Sequence, residues 1–381
     1  MSLQFITGNS GNGKTKYLFN RIVKEAKANP RDNYLVIVPE QFTMQTQRQL
    51  VDLSENKAIM NIDVLSFKRL AYRVFDELGI TNLTVLEETG KNLVLRKLAA
   101  QEADKLGVIG RNLNRIGYIS EVKSLLSELV QYNISPEELG RYIASGRLSD
   151  TLSDKLKDVL VLYEAFEKFM QDKYITAEEI LNVLSNVAEE SAILRNSVIA
   201  FDEFTGFTPI QNQLIKKLFV ISKKIYVTLT IDCREDIFKS RGMQELFDMP
   251  KRTVKSLTEM AAFYGIEVEE PIILDKNYRL AENEELSFME QQLFRKRRCS
   301  FKKVPKHIHI DCLRDPKQEL TKIARRINEL VRNENLRYRD IAIVTGDVNI
   351  YAGYVREIFD KYNIPCLLYT SPSPRDRQKS R

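Results

Sequence analysis

The residues with the clearest chemical potential form one short segment near the N-terminus, Gly8-Asn9-Ser10-Gly11-Asn12-Gly13-Lys14-Thr15. The segment fits the pattern G-x-x-x-x-G-K-[ST], in which glycines let backbone N–H groups close around phosphate oxygens. Lys14 could reach the β- and γ-phosphates, and the Thr15 hydroxyl could ligate Mg²⁺. The pattern predicts a binding site for ATP with Mg²⁺, and a glycine-rich turn without a ligand is the alternative.

The elements on either side of this loop are the ones that such a site needs. Residues 3–6 are apolar and predict a short buried strand, whereas residues 16–26 have the periodicity of a helix. The N-terminus of that helix would face the phosphate charge. The context therefore favours a phosphate loop over a chance match.

A second candidate lies at the end of another apolar strand, where residues 198–201 are followed by Asp202 and Glu203. A phosphate loop needs a carboxylate on a neighbouring strand to hold Mg²⁺ through water, and Asp202 fits that role. Glu203 would be the general base that orients the attacking water. Two solvated acids at a strand end are the alternative.

Composition limits the class of protein. The chain has 381 residues, of which 43% are hydrophobic and 29% charged, and no apolar run approaches membrane-spanning length. Its N-terminus lacks a signal-like core, so we expect a cytoplasmic protein without a membrane role. The four cysteines are far apart and form no C-x-x-C pair, so neither a zinc site nor a disulfide framework is predicted.

The hydrophobic pattern predicts an α/β protein with a parallel sheet, interrupted by helices. We expect an α/β domain in two parts, residues 1–85 and 191–300, separated by an all-helical insertion over residues 86–190 that lacks strand candidates. Residues 301–368 look like the start of a second α/β domain, with strands at 308–310 and 341–344. Residues 369–381 are set apart as a tail.

The tail is rich in Pro, Ser and Arg and contributes half of the net charge of +6. It resembles translated sequencing-adaptor read-through, so we expect it to be non-native and the gene to continue beyond it. A natural basic arm for nucleic acid is the alternative. The run Arg295-Lys296-Arg297-Arg298 is a further candidate phosphate contact, with a solvated charge run as the alternative.

The order of these motifs resembles superfamily 1 DNA helicases of the UvrD type. Residues 277–279 read Asn-Tyr-Arg in the manner of the helicase N-Y-R segment, although Leu280 replaces the usual serine. The resemblance makes Arg279 a candidate contact to the γ-phosphate, with a plain surface arginine as the alternative. Residues 233–242 resemble the sensor turn of these enzymes, but Glu235 replaces the sensor glutamine and would repel a γ-phosphate.

Other segments narrow the resemblance. Residues 38–43, 64–71 and 204–211 are similar to the AddB family, the B subunits of bacterial AddAB helicase-nucleases, and to the related RexB proteins. Residues 337–343 and 359–365 extend this similarity towards the C-terminus. Members of the family are much longer than this chain, so we expect it to represent their N-terminal part.

The resemblance implies a P-loop, RecA-like fold and a heterodimer with an AddA-type helicase-nuclease subunit. It implies resection of double-strand DNA ends, contact with single-stranded DNA and Chi recognition for recombinational repair, in a subunit that is not itself an active helicase. The family's iron–sulfur cluster and nuclease carboxylates belong to a part that this chain lacks. Two alternatives remain open: an active UvrD-like helicase, and a non-catalytic scaffold that binds nucleotide and reads DNA.

Overall fold

The computed structural model describes residues 1–80, 84–108, 116–146, 148–170, 174–176, 178–295 and 299–366. The chain divides into two compact units, residues 1–298 and 299–381, and each is described by itself. The predicted tail at 369–381 and residues 296–298 of the basic run lie outside the described residues.

The first unit is built on a parallel sheet that has seven strands among the described residues. The strands are β1 (Ser2–Gly8), β2 (Tyr34–Ile37), β3 (Ile62–Leu65), β6 (Val198–Phe201), β7 (Lys224–Thr230), β8 (Glu267–Val268) and β9 (Ile272–Leu274). Their order across the sheet is β3-β2-β6-β7-β1-β8, and β9 also pairs with β1. The predicted α/β class with a parallel sheet is therefore confirmed.

Helices cover both faces of this sheet. They are α1 (Lys14–Ala28), α2 (Thr43–Leu53), α3 (Phe67–Leu78), α8 (Ile180–Val187), α9 (Pro209–Ile221) and α10 (Asp248–Phe263). A further helix, α11 (Glu284–Gln292), follows β9 in the chain. Successive strand residues point to opposite faces, so Phe5 packs with α3, α8, α9 and α10, whereas Ile6 packs with α1 and α2. Strands buried on both faces explain the continuous apolar runs of the sequence.

Four further helices form a separate hydrophobic cluster within the first unit. They are α4 (Glu88–Gln101), α5 (Ile116–Gln131), α6 (Pro136–Ala144) and α7 (Asp150–Met170). The expectation that this stretch lacks strands was wrong, because β4 (Val85–Leu86) and β5 (Ile175–Thr176) pair in parallel. Two-residue strands leave too little alternation to be recognised in a sequence.

The second unit contains α12 (Pro316–Asn333) and α13 (Val348–Lys361), which pack against each other through a small apolar cluster. The strands predicted at 308–310 and 341–344 were wrong, since neither segment is a strand in the structure. Ile310 is 94% exposed and Val344 is 92% exposed. A strand needs a hydrogen-bonding neighbour, and the described residues of this unit supply none.

No helix among the described residues is both long enough and apolar enough to cross a bilayer.

Candidate nucleotide-binding site

The glycine-rich segment forms the turn between β1 and α1. Gly11 and Gly13 have φ angles of +91° and +77°, in the left-handed region that side chains rarely adopt. Gly13 is also the N-cap of α1, so Lys14 and Thr15 occupy the first turn of the helix. The local sequence thus produces the sharp strand-to-helix turn that an anion site at a helix N-terminus requires.

The Lys14 ammonium folds back over the loop. Its Nζ donates to the carbonyl oxygens of Gly8 at 3.1 Å and Asn9 at 2.9 Å. Burial lowers the pKa of Lys14, and the carboxylates of Glu203 and Asp202 oppose that shift. The cation is therefore held inside the loop, where it faces two acids.

Thr15 and the two acids at the end of β6 come together. The Thr15 hydroxyl lies 3.3 Å from Asp202 Oδ1 and 3.3 Å from Glu203 Oε1. They meet because β1, β7 and β6 are consecutive in the sheet, and parallel strands end on the same edge. Thr228, in the strand between them, donates to Asp202 Oδ1 at 2.5 Å.

Asp202 has the properties of a metal ligand. It is 1% exposed, and its Oδ2 has no hydrogen-bond partner in the part of the chain that the structure describes. Burial raises the pKa of Asp202 to about 6. An unpaired buried carboxylate oxygen beside a threonine hydroxyl fits Mg²⁺, a hard cation that prefers oxygen ligands.

Protein side chains alone would not complete a metal site here. Within the described residues, no group of three or more His, Cys, Asp or Glu side chains could hold a metal ion. Mg²⁺ commonly keeps several waters and binds through one or two protein oxygens plus substrate phosphates. The donors present fit a cation that arrives with a nucleotide.

Glu203 has a strained backbone. Its φ angle is +63°, which is uncommon for a residue with a side chain, and it is exposed to solvent. The loop that follows is fixed at its far end, where Thr208 and Gln211 form a reciprocal capping box at the start of α9. Such strain is often found at functional sites, where the surrounding structure holds an unfavourable residue in place.

The N-Y-R segment lies directly on the loop. The N–H of Tyr278 donates to Gly11 O at 3.0 Å, and Asn277 Nδ2 donates to Ser10 O at 3.0 Å. Arg279 Nη1 donates to Ser10 Oγ at 3.4 Å. A Cβ atom added to Gly11 would lie 2.8 Å from the Cβ of Arg279, so this close approach depends on glycine.

Most of the predicted site residues line one cavity of about 690 Å³. They are Ser10, Gly11, Gly13, Lys14, Thr15, Asp202, Glu203 and Arg279. Gly8, Asn9 and Asn12 are not among the lining residues. Asn12 Nδ2 instead donates to Leu274 O at 2.6 Å, and Asn9 also points into the protein, so their side chains support the loop from behind.

The cavity also has walls that the sequence interpretation missed. Tyr278 lines it with an exposed ring, and Gln49 and Asp52 line it from α2. Tyr278 belongs to the N-Y-R motif, which could have indicated it. Gln49 and Asp52 look like ordinary polar residues of an amphipathic helix, so no local signal distinguishes them.

Comparison with known proteins identifies the family to which this chain belongs. A sequence model described as "ADDB, N-terminal" matches residues 5–290. The chain belongs to the AddB family. This confirms the resemblance to the AddB family seen in the sequence.

Several relatives share one description, the B subunit of an ATP-dependent helicase/deoxyribonuclease. The protein from Lachnoclostridium phytofermentans is 38% identical over 97% of this chain and 32% of its own length. Those from Clostridium tetani and Clostridioides difficile are each 33% identical over 96% of this chain and 32% of their own length. The chain thus spans about a third of the curated relatives that it matches.

In this AddB-family chain, a buried aspartate, Asp232, also follows β7, but two arginines neutralise its charge. Asp232 accepts hydrogen bonds from Arg234 Nη2 at 2.7 Å and from Arg295 Nε at 2.8 Å. Burial would raise the pKa of Asp232, but these guanidinium groups hold it well below its usual range. Arg295, expected as a phosphate contact or a solvated charge, is a largely buried ion-pair partner instead.

Glu235, at the position of the helicase sensor glutamine, is also paired. Its Oε2 lies 2.6 Å from Lys251 Nζ, and that ammonium is 3.2 Å from Glu245 Oε2. Glu235 is not among the residues that line the cavity. In this AddB-family chain its carboxylate is therefore directed to Lys251.

Proposed function

We propose that this AddB-family chain binds ATP with Mg²⁺ at residues 8–15, as the N-terminal part of the B subunit of an ATP-dependent helicase/deoxyribonuclease. The observation that carries the proposal is the approach of Thr15 to within 3.3 Å of both Asp202 and Glu203, beside the half-buried Lys14 ammonium. This arrangement supplies phosphate and metal donors together. It supports a P-loop, RecA-like assignment for the first unit.

Each residue has a distinct proposed role. Backbone N–H groups of the loop would surround the phosphates, and Lys14 would pair with their charge. Thr15 and Asp202 would hold Mg²⁺, directly or through water, and the bound ion would neutralise charge that develops on the phosphates. Glu203 would orient water as general base, and Arg279 would add positive charge beside Ser10.

For the whole protein we propose a heterodimer with an AddA-type helicase-nuclease subunit in the cytoplasm. Together the subunits would resect double-strand DNA ends and respond to Chi during homologous recombination and repair, with contacts to duplex ends and single strands. The descriptions of the relatives support a helicase/deoxyribonuclease subunit. We assign the nuclease centre and the iron–sulfur cluster to the part of the relatives that this chain does not span.

We further propose that this subunit is not itself an active helicase. The observation in favour is the ion pair between Glu235 and Lys251. A carboxylate paired with a lysine only accepts hydrogen bonds, so it cannot donate one to a γ-phosphate as the sensor glutamine would. A scaffold that binds nucleotide without turnover is the second candidate, and the same ion pair supports it. The alternative to these two candidates is an active UvrD-like translocase.

The test measures both ATP affinity and ATP turnover of the full chain, alone and with DNA and a partner subunit, in wild type and in Lys14→Ala and Glu203→Gln variants. Glu282→Gln, an exposed carboxylate outside the cavity, is the matched control. Turnover that Lys14→Ala and Glu203→Gln abolish supports a working ATPase. Binding lost only in Lys14→Ala, without turnover anywhere, supports the scaffold. Turnover that neither variant changes contradicts the assigned site.

A further inference from the structure

The first variable residue of the loop, Asn9, points away from the cavity and is only 5% exposed. Its Nδ2 donates to Glu290 Oε1 at 2.7 Å, and its Oδ1 accepts from the N–H of Cys233 at 2.9 Å. A carboxylate can only accept and a backbone N–H can only donate, so the two partners fix the orientation of the amide. Asn9 is thus clamped between α11 and the end of β7.

The same residue holds the loop lysine from its other side. Lys14 Nζ donates to the carbonyl oxygens of Asn9 at 2.9 Å and Gly8 at 3.1 Å. The position of the Asn9 carbonyl therefore sets where the ammonium rests. A continuous path of two hydrogen bonds leads from Glu290 through Asn9 to Lys14.

The Glu290 carboxylate is itself held in place. Arg295 Nη2 lies 3.8 Å from Glu290 Oε1, and the Nε of that arginine donates to the buried Asp232 at 2.8 Å. The Arg295 guanidinium also lies 4.9 Å from the centre of the Phe247 ring. The acceptor that Asn9 uses is therefore anchored by a charged and largely buried neighbour.

We propose that Glu290 is a positioning residue of the nucleotide site. Through Asn9 it fixes the carbonyls that accept hydrogen bonds from the Lys14 ammonium. A residue of α11, 281 positions from Asn9 in the sequence, therefore sets the geometry of the phosphate loop. The inference rests on the proposed function for its effect on ATP. The placement of Lys14 itself can be measured without nucleotide.

Two substitutions separate the hydrogen bond from the charge. Glu290→Ala removes the acceptor, whereas Glu290→Gln keeps a carbonyl oxygen at the same place. We expect the Kd for ATP with Mg²⁺ to rise about tenfold in Glu290→Ala and less than about twofold in Glu290→Gln, since a hydrogen bond to a charged group has about that effect. Glu282→Ala, an exposed carboxylate of the same region, should leave the Kd unchanged.

The experiment combines ATP titration with the acetylation rate of Lys14 in the ligand-free full chain, followed by acetic anhydride labelling and mass spectrometry. Released from its carbonyls, Lys14 should react several-fold faster in Glu290→Ala but not in Glu290→Gln. Thermal unfolding checks that each variant is folded, and Asn9→Ala, which removes the other end of the bond, replaces any variant that is not.

Unchanged labelling and unchanged Kd in Glu290→Ala would overturn the inference, as would equal damage in Glu290→Gln. Absence of ATP binding in wild type would overturn the proposed function instead. In that case a selective change in Lys14 labelling would still support the placement of the lysine by Glu290, and its absence would refute it.

Discussion

The ends of β6 and β7 lie side by side in the sheet, and each is followed by a buried aspartate in a different electrostatic setting. Asp202, after β6, has a carboxylate oxygen without a partner among the described residues, and burial raises its pKa to about 6. Asp232, after β7, is bound by Arg234 and Arg295, and its pKa lies well below the usual range despite burial.

This difference in pairing distinguishes Asp202, a proposed metal ligand, from Asp232, which stabilises the fold. A buried carboxylate oxygen without a hydrogen-bond partner is unfavourable, so the proposed Mg²⁺ would stabilise that end of the sheet. A carboxylate already neutralised by two arginines has no such need. The residue type and its place at a strand end are the same, so the neighbouring cations decide the role.

The largest expected effect comes from Asp232→Ala. Without this carboxylate the Arg295 side chain, which is only 13% exposed, loses its main partner. We expect the free energy of unfolding to fall by about 3 kcal/mol or more, as when one partner of a buried ion pair is removed. Urea-induced unfolding at neutral pH measures it.

Asp202→Asn is the matched substitution at the neighbouring strand end. Because it removes a buried charge whose burial outweighs the attraction of the nearby Lys14 ammonium, the ligand-free variant should be at least as stable as wild type at neutral pH. Equal losses of stability in the two variants would contradict the contrast between the two aspartates.

The pH dependence of stability should have opposite signs at the two positions. The folded-state pKa of Asp202 is raised from 3.8 to about 6, so folding favours the protonated acid and its contribution is lost as the pH rises from about 4 to about 6. The loss amounts to roughly 2–3 kcal/mol. The pKa of Asp232 is lowered, so its contribution is present at neutral pH and is lost on acidification below about pH 4.

The contribution of Asp202 is isolated by comparing the unfolding free energies of wild type and Asp202→Asn at a series of pH values. The variant should gain on wild type as the pH rises from about 4 to about 7. A constant difference between the two proteins would show that Asp202 does not titrate in this range.

The smallest expected effect is that of Glu235→Gln. Its side chain is 33% exposed, and Lys251 keeps Glu245 as a partner, so the free energy of unfolding should change by less than about 1 kcal/mol. ATP turnover should not change either, because Glu235 does not line the cavity. Parallel urea-unfolding and turnover assays measure both, and a large rise in turnover would show that Glu235 limits hydrolysis directly.

Much of the sheet and of the candidate site could be predicted from local pattern. Residues 198–201 form a strand with the predicted bounds, and the loop at 8–15 lies between a strand and a helix as expected. Asp202 and Glu203 approach Thr15 because parallel strands end at one edge, a rule that requires no knowledge of individual contacts.

Features that depend on distant partners could not be predicted. Arg295 looked like part of an exposed basic run, yet it pairs with Asp232, a residue 63 positions away. Asn9 fits the loop motif, but its contact with Glu290 has no local signal. The same limit explains the wrong strands at 308–310 and 341–344, where apolar alternation is present and the described residues offer no pairing neighbour.

The most direct test of the account is the dependence of ATP affinity on Mg²⁺, measured by calorimetry in wild type and Asp202→Asn, with Lys14→Ala as the reference for loss of binding. We predict that chelating Mg²⁺ weakens binding to wild type by about tenfold or more and that Asp202→Asn loses most of this dependence. Equal Mg²⁺ dependence in both proteins, or no ATP binding by wild type, would contradict the assignment of the β6 end as the metal side of a nucleotide site.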